Sequence, residues 1–293
     1  MAARRVITNI GETTLAGETL KWIARRCDVQ HLEDYLAHPQ GMPLLALPWW
    51  LEMSFREVDT EFQCDLMISG AHGYFFIRML DDLMDGHAVD RACLPALHLF
   101  SLRFQSAYFR YFPSGDPFWD YFERSLASTA EAVSGDSRLG EVSAENFLGI
   151  SARKLAAALI PIAAVCCRYG RLELLPAWEH FLTLFSRWHQ MRDDILDWSE
   201  DYAAGHATWI LSEAQRRRAS SETVPVWMGR TGLSWAAKVM GDWMEQIKDA
   251  AAGLNSPELV RYLKAREAMF TRQIAANIHL AALCESLLER SGG

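Results

Sequence analysis

Arg187-Trp188-His189-Gln190-Met191-Arg192-Asp193-Asp194-Ile195-Leu196-Asp197-Trp198-Ser199-Glu200-Asp201 is the stretch on which the fold class turns. Asp193, Asp197 and Asp201 step by four, and Asp194 and Asp197 by three, so on a helix these carboxylates share one face. A shorter version stands earlier, in Tyr74-Phe75-Phe76-Ile77-Arg78-Met79-Leu80-Asp81-Asp82-Leu83-Met84-Asp85-Gly86. There Asp81 and Asp85 lie four apart, and Asp82 and Asp85 three. Taken alone, this first cluster reads equally well as a solvated acidic helix end. Two such clusters 112 residues apart, each set in apolar helical sequence, are hard to obtain by chance.

Outward from these segments helical periodicity dominates, and alternating β-branched runs are scarce. The spacing predicts about ten helices, over roughly 14–38, 43–58, 62–85, 91–112, 117–133, 143–170, 174–200, 206–219, 230–252 and 256–289. Punctuation supports them: Pro39-Gln40-Gly41, Pro113-Ser114-Gly115-Asp116-Pro117, Ser134-Gly135-Asp136-Ser137, and the connections at 223–225 and 253–257. Ser256 before Pro257 and Glu258 reads as an N-cap with proline at the first helical position. The expectation is an all-α protein forming a single domain over 1–293.

The 293 residues are 50% hydrophobic and include 11 Trp and 14 Phe, enough for a large core or an apolar pocket. The net charge of −8 and the lack of a basic stripe argue against nucleic-acid binding. Arg216, Arg217 and Arg218 read as a solvated helix end. The six cysteines show no CxxC pair and read as reduced, mostly buried thiols of a cytoplasmic protein. No run approaches eighteen consecutive apolar residues, so no transmembrane segment is expected, and Arg4 and Arg5 lack the apolar run of a leader peptide.

Departure of a diphosphate is the chemistry that needs two acidic ledges. Mg²⁺ is a hard ion that takes carboxylates, waters and phosphate oxygens. Ions held between two ledges neutralise the charge that builds on a leaving diphosphate. Carboxylates spaced for general acid–base hydrolysis would leave the doubled motif unexplained.

Asp81-Asp82-Leu83-Met84-Asp85 and Gln190-Met191-Arg192-Asp193-Asp194-Ile195-Leu196-Asp197 resemble the paired aspartate-rich motifs of trans-polyprenyl diphosphate synthases, within the class I isoprenoid synthases. In that family the second motif often reads FQxxDDxLD. Arg153-Lys154-Leu155-Ala156-Ala157-Ala158-Leu159 resembles its KTxAL helix, and Gly205-His206-Ala207-Thr208 its GKxT element. The likeness covers roughly 41–210. It implies a helical bundle around a central apolar cavity, a homodimer, and Mg²⁺ (about three ions) on Asp81, Asp82, Asp85, Asp193, Asp194 and Asp197. It also implies that Lys154 contacts the diphosphate, with Gln190 beside the metals. Catalysis would then rest on Asp81, Asp82, Asp193, Asp194 and Lys154. On its residues alone, Lys154 also reads as a snorkelling surface lysine.

The departures bear on the reaction. The GKRxRP-like segment that holds isopentenyl diphosphate has Gln40-Gly41-Met42-Pro43 in its place, without a base. The Arg-Arg pair after the first motif is reduced to Arg91, and the GKxT lysine is His206. The second, non-allylic diphosphate site therefore reads as dismantled. Tyr74, Arg78, Asp81 and Asp82 also resemble the YxxxRxxDD signature of squalene and phytoene synthases, and Glu200-Asp201 with Gly205-His206 their ED…GR segment. That likeness implies Arg78 as a diphosphate contact and Asp201 as a further acidic residue of the metal face. For Arg78, an ion pair with a nearby carboxylate is the other reading.

A terpene synthase is the first expectation: one prenyl diphosphate is ionised and the cation cyclises or is quenched. Lys154, Arg78 and Arg192 would add positive charge, and Tyr74, Phe75, Phe76, Phe104, Tyr108, Trp188 and Trp198 are candidate cation-facing rings, each also readable as core. An NSE-type second motif, common in microbial cyclases, is absent. A prenyltransferase, joining units head-to-tail or head-to-head, is the alternative, with Arg91, Arg103, Arg110 or Lys21 rebuilding the second site. A non-catalytic partner subunit is the third. His72, His87 and His189 read as structural. Ile77 and Phe76, just before the first motif, hint at shorter prenyl chains if the pocket runs as in the prenyltransferases.

Overall fold

The computed structural model describes residues 14–27, 43–84, 89–136 and 140–291; of 281–291 it describes the helix alone. Among the described residues the chain is helical and has no strand. The α-helices are α1 (Thr14–Cys27), α2 (Pro43–Met53), α3 (Thr60–Met84), α4 (Leu94–Ser106), α5 (Phe118–Asp136), α6 (Ala144–Lys154), α7 (Leu159–Tyr169), α8 (Leu175–Leu196), α9 (Trp198–Ala204), α10 (Trp209–Arg217), α11 (Val224–Trp227), α12 (Leu233–Ala252) and α13 (Pro257–Ser291). The predicted stretches 28–38 and 85, with the Pro39-Gln40-Gly41 break, lie outside the described residues.

Hydroxyl caps set several starts. The Asn146 N–H donates to Ser143 Oγ at 3.1 Å ahead of α6, and Leu211 N–H to Thr208 Oγ1 at 3.4 Å ahead of α10. Leu259 N–H donates to Ser256 Oγ at 3.3 Å, so the cap read before Pro257 is present.

The long predicted helices are interrupted. The run 143–170 breaks after Lys154, where Leu155 takes φ −98°, ψ 13° and Ala156–Ala158 tighten to a 3₁₀ turn. Pro161 accounts for this, because its ring collides with the carbonyl four residues back, at Ala157. The run 174–200 breaks at Asp197 (φ −101°, ψ 6°). The 91–112 run becomes α4 between the 3₁₀ turns Arg91–Cys93 and Tyr108–Arg110. The helix expected at 230 is approached through α11 and a π-helical turn, Met228–Gly232, with Pro225 opening the path. Ala144–Tyr169 as a whole is long and apolar enough to cross a membrane, yet 56% of its most apolar window is buried within the protein, the pattern of a core segment.

The chain gathers into two compact units. The first holds the described residues up to Ser128, with Ala157–Trp178 and Leu254–Leu259; the second holds Thr129–Ala156, Glu179–Gly253 and the chain from Val260 onward. In the first unit α3 packs along α4 at very close range. A Cβ added at Gly73 would sit 2.7 Å from the Phe104 ring, so no larger residue fits without moving that ring. Around this contact Trp22, Phe75, Met79, Cys93, Ala96 and Phe100 form a buried cluster. In the second unit Phe147, Trp209 and Trp243 stack with centroids 5.0–6.0 Å apart, and Phe185 and Trp188 of α8 meet Tyr262 and Phe270 of α13.

Candidate functional site

The first acidic motif ends α3. Asp82 is 2% exposed; Trp22 Nε1 donates to its Oδ2 at 3.2 Å, and Arg78 Nε lies 3.4 Å from its Oδ1. Arg78 Nη1 reaches Asp81 Oδ2 at 3.5 Å. Arg78 sits three and four residues before the two aspartates, where helix geometry lets one guanidinium serve both. The ion-pair reading of Arg78 is therefore the contact formed. Asp85 and His87 lie outside the described residues. His72 approaches the Ile68 carbonyl through Nδ1 at 2.8 Å, a structural contact within its own helix. Phe75, Phe104 and Tyr108 are buried among other rings.

The second motif closes α8 and runs into α9. Asp194 is 6% exposed and accepts from Gln190 Nε2 at 2.8 Å. Arg192, 5% exposed, donates through Nη1 to Asp193 Oδ1 at 2.6 Å. His189 Nε2 is 3.7 Å from the other oxygen of Asp193, and burial holds the imidazole below its ordinary pKa. Asp197 is pushed up, first by burial and then by the negative charges of Asp193, Asp201 and Glu200. Asp201 Oδ1 lies 3.5 Å from His206 Nδ1, and its carbonyl accepts from the Gly205 N–H, which ends α9 at φ +74°. That left-handed turn favours glycine and swings Ala207 and Thr208 back toward α8.

Within the second unit one pocket collects Lys154, Gln190, Asp194, Ala207 and Thr208, walled by Phe147 and Trp209. The break after Lys154 ends α6 at its rim, and Thr208 both caps α10 and lines the cavity. Four elements that the sequence alone scatters over 55 positions (Lys154 to Trp209) thus meet at one place. Its volume of about 50 Å³ suits a few waters, an ion or the oxygens of a phosphate end; whole small ligands occupy roughly 300–1,000 Å³.

The donor chemistry of the aspartates suits a hard dication. Their arrangement is less simple: among the described residues no three His, Cys, Asp or Glu side chains come together closely enough to hold a metal ion. Asp81 and Asp82 are engaged by Arg78, Asp82 also by Trp22, and Asp193 by Arg192. Arg216 and Arg217 pair with Glu213, and Arg216 also with Glu141, as a helix-end cluster would. Compared with protein-family models and with curated proteins, the chain matches none.

Arg266 is the residue that the sequence reading does not single out. It is 1% exposed and lies among buried Leu259, Leu263, Phe270 and Ile274, which mark the apolar stripe of α13. A charged residue on a stripe of three- and four-residue steps is the signal that would have found it.

Proposed function

We propose that the chain is a Mg²⁺-dependent terpene synthase of the class I isoprenoid type, which ionises an allylic prenyl diphosphate and lets the cation cyclise or be quenched. The observation that carries this reading is the convergence of Lys154, Gln190, Asp194 and Thr208 on one pocket of the second unit. A primary ammonium and a hydroxyl at this small cavity suit the oxygens of a diphosphate, and the Asp194 carboxylate beside them calls for a cation between it and those oxygens. In this reading Lys154 pairs with the diphosphate by Coulomb attraction, Gln190 orients Asp194 through their hydrogen bond, and Phe147 and Trp209 keep water from that wall. Mg²⁺ would supply neutralising charge for the leaving diphosphate. Asp193, Asp194, Asp197 and Asp201 are the carboxylates of this unit that would bear on it; no three of them lie close enough to hold an ion by themselves, so waters and phosphate oxygens would complete its ligand set.

A prenyltransferase is the second reading. It is favoured by the same pocket, whose residues are those of the prenyltransferase-like motifs. Purified protein incubated with Mg²⁺ and geranyl, farnesyl or geranylgeranyl diphosphate, each with and without isopentenyl diphosphate, separates the two. A hydrocarbon or terpene alcohol from one allylic substrate alone is the expected product. A longer diphosphate formed only with isopentenyl diphosphate would replace the cyclase by the chain-elongating enzyme. No Mg²⁺-dependent diphosphate release in any mixture would overturn both.

A further inference from the structure

The second face of α8 holds a different chemistry from the first. Arg192 lies two residues, about 200°, round the helix from Gln190. Beside it, one turn back, is Trp188, and against both packs Arg266 of α13, its guanidinium carbon 5.7 Å from the Trp188 ring centre. Trp188 and Arg266 are each 1% exposed, and the Arg192 side chain is 7% exposed. Arg266 Nε, Nη1 and Nη2, Arg192 Nε and Trp188 Nε1 are enclosed and make no hydrogen bond. Every one of these atoms is a donor.

The charged groups in this neighbourhood leave the Arg266 guanidinium without a hydrogen-bonded carboxylate of its own. From α8 come Arg192, Asp193 and His189, whose imidazole burial holds below its ordinary pKa; from α13 come Arg266 and Tyr262, whose phenol burial pushes up to about 12. Burial pushes Arg266 down to about 10, which leaves it cationic at neutral pH. Arg192 is served by Asp193 through a hydrogen bond and by Asp197 at longer range, whereas Asp193, held by Arg192, is the one carboxylate that acts on the Arg266 guanidinium. An enclosed guanidinium without a hydrogen-bonding partner is costly to keep, so a counter-anion is the missing component.

We propose that Arg266, Arg192 and Trp188 form a buried receptor for a phosphate-type oxyanion, on the side of α8 turned away from Gln190 and Asp194. The whole Arg266 fork, with Arg192 Nε and the Trp188 indole N–H near by, calls for an acceptor with oxygens in several directions. A tetrahedral phosphate has them; a carboxylate offers two, and chloride has no directional match. The receptor is separate from the pocket beside Lys154, and it stands or falls without turnover. Because the donors are enclosed, the anion enters when α8 and α13 part locally, so ligand and protein must be equilibrated before measurement.

The test is thermal unfolding of the full chain in EDTA, with inorganic phosphate, inorganic diphosphate, acetate or sodium chloride at matched ionic strength, alongside calorimetric titration. Phosphate or diphosphate should raise the wild-type midpoint by at least about 3 °C over chloride and acetate. The stronger of the two identifies the source as a free phosphate or a diphosphate ester end. Arg266→Met, which removes the charge and keeps the length, should unfold at a higher temperature than wild type without anion and should lose the anion response. Arg266→Lys should keep part of it. Equal responses to all four salts, no heat on titrating wild type with either phosphate, or an Arg266→Met protein that responds as wild type does would each overturn the proposal.

Discussion

The two acidic motifs share a spacing and differ in where their counter-charge comes from. At the end of α3, Arg78 stands one turn before Asp81 and Asp82 and contacts both, while Trp22 of α1 reaches Asp82 from 60 residues away. At the end of α8, Arg192 takes only Asp193, Gln190 takes Asp194, and the negative charges around Asp197 act on it together. The first motif is thus a latch between helices, closed by its own arginine. The second gathers its acid around Asp197, with Asp194 alone turned to the pocket. The same letters give a fastening or a charge reservoir, according to whether a cation falls within helical reach of each carboxylate.

The comparison breaks most visibly at Asp193. Asp193→Ala should cut diphosphate release at least about 100-fold while far-ultraviolet circular dichroism stays unchanged; an active variant would remove the second motif from the reaction. Next comes Asp82→Ala, which leaves the Trp22 indole N–H without its acceptor and Arg78 without a buried partner. Urea unfolding should show a loss of about 3 kcal/mol, and a loss below about 1 would mean the latch is not closed in solution. Lys154→Ala should lower kcat/KM about tenfold to a hundredfold with little change in stability, since the side chain is only half-buried. An unchanged kcat/KM would make it the snorkelling lysine.

The smallest effect sharpens the contrast. Asp197 has a folded-state pKa above its ordinary 3.8, so the folded protein holds that proton more tightly than the unfolded chain does. The associated stability is present at acid pH and is lost as pH rises through the raised value. Asp197→Asn should therefore be more stable than wild type at pH 7, by no more than ~0.5 kcal/mol given its exposure, and the difference should shrink toward pH 4. A difference that grows on acidification would mean that the folded chain holds the Asp197 proton less tightly than the unfolded one.

Much of this was legible in the residues. Helix positions followed the apolar spacing, and Ser256 declared its cap through the proline after it. The interruptions were harder to see, because Pro161 sits within an apolar run and acts on a carbonyl four residues upstream. Asp197 ends α8 without a glycine or proline to announce it. At the candidate site, Lys154, Gln190, Asp194 and Thr208 were readable as separate motif positions, and only folding brings them to one cavity. Arg78 was readable as a helix-spaced partner of Asp81 and Asp82 as well as a ligand contact. Arg266 escaped because one charge on an otherwise apolar stripe looks like an exposed position until its neighbours are placed.

The contact at Gly73 limits how this chain can change in length. Gly73 is clamped against Phe104, and Asp81 follows eight residues later on the same helix. Each residue inserted or deleted between them turns the end of α3 by about 100° relative to the clamp. One such event would carry Asp82 away from the Trp22 indole while leaving the packing at Gly73 intact. Insertions are tolerable in the connections between helices, but these eight positions behave as a gauge of fixed length: point substitutions can pass through it, and a change of frame within the helix cannot.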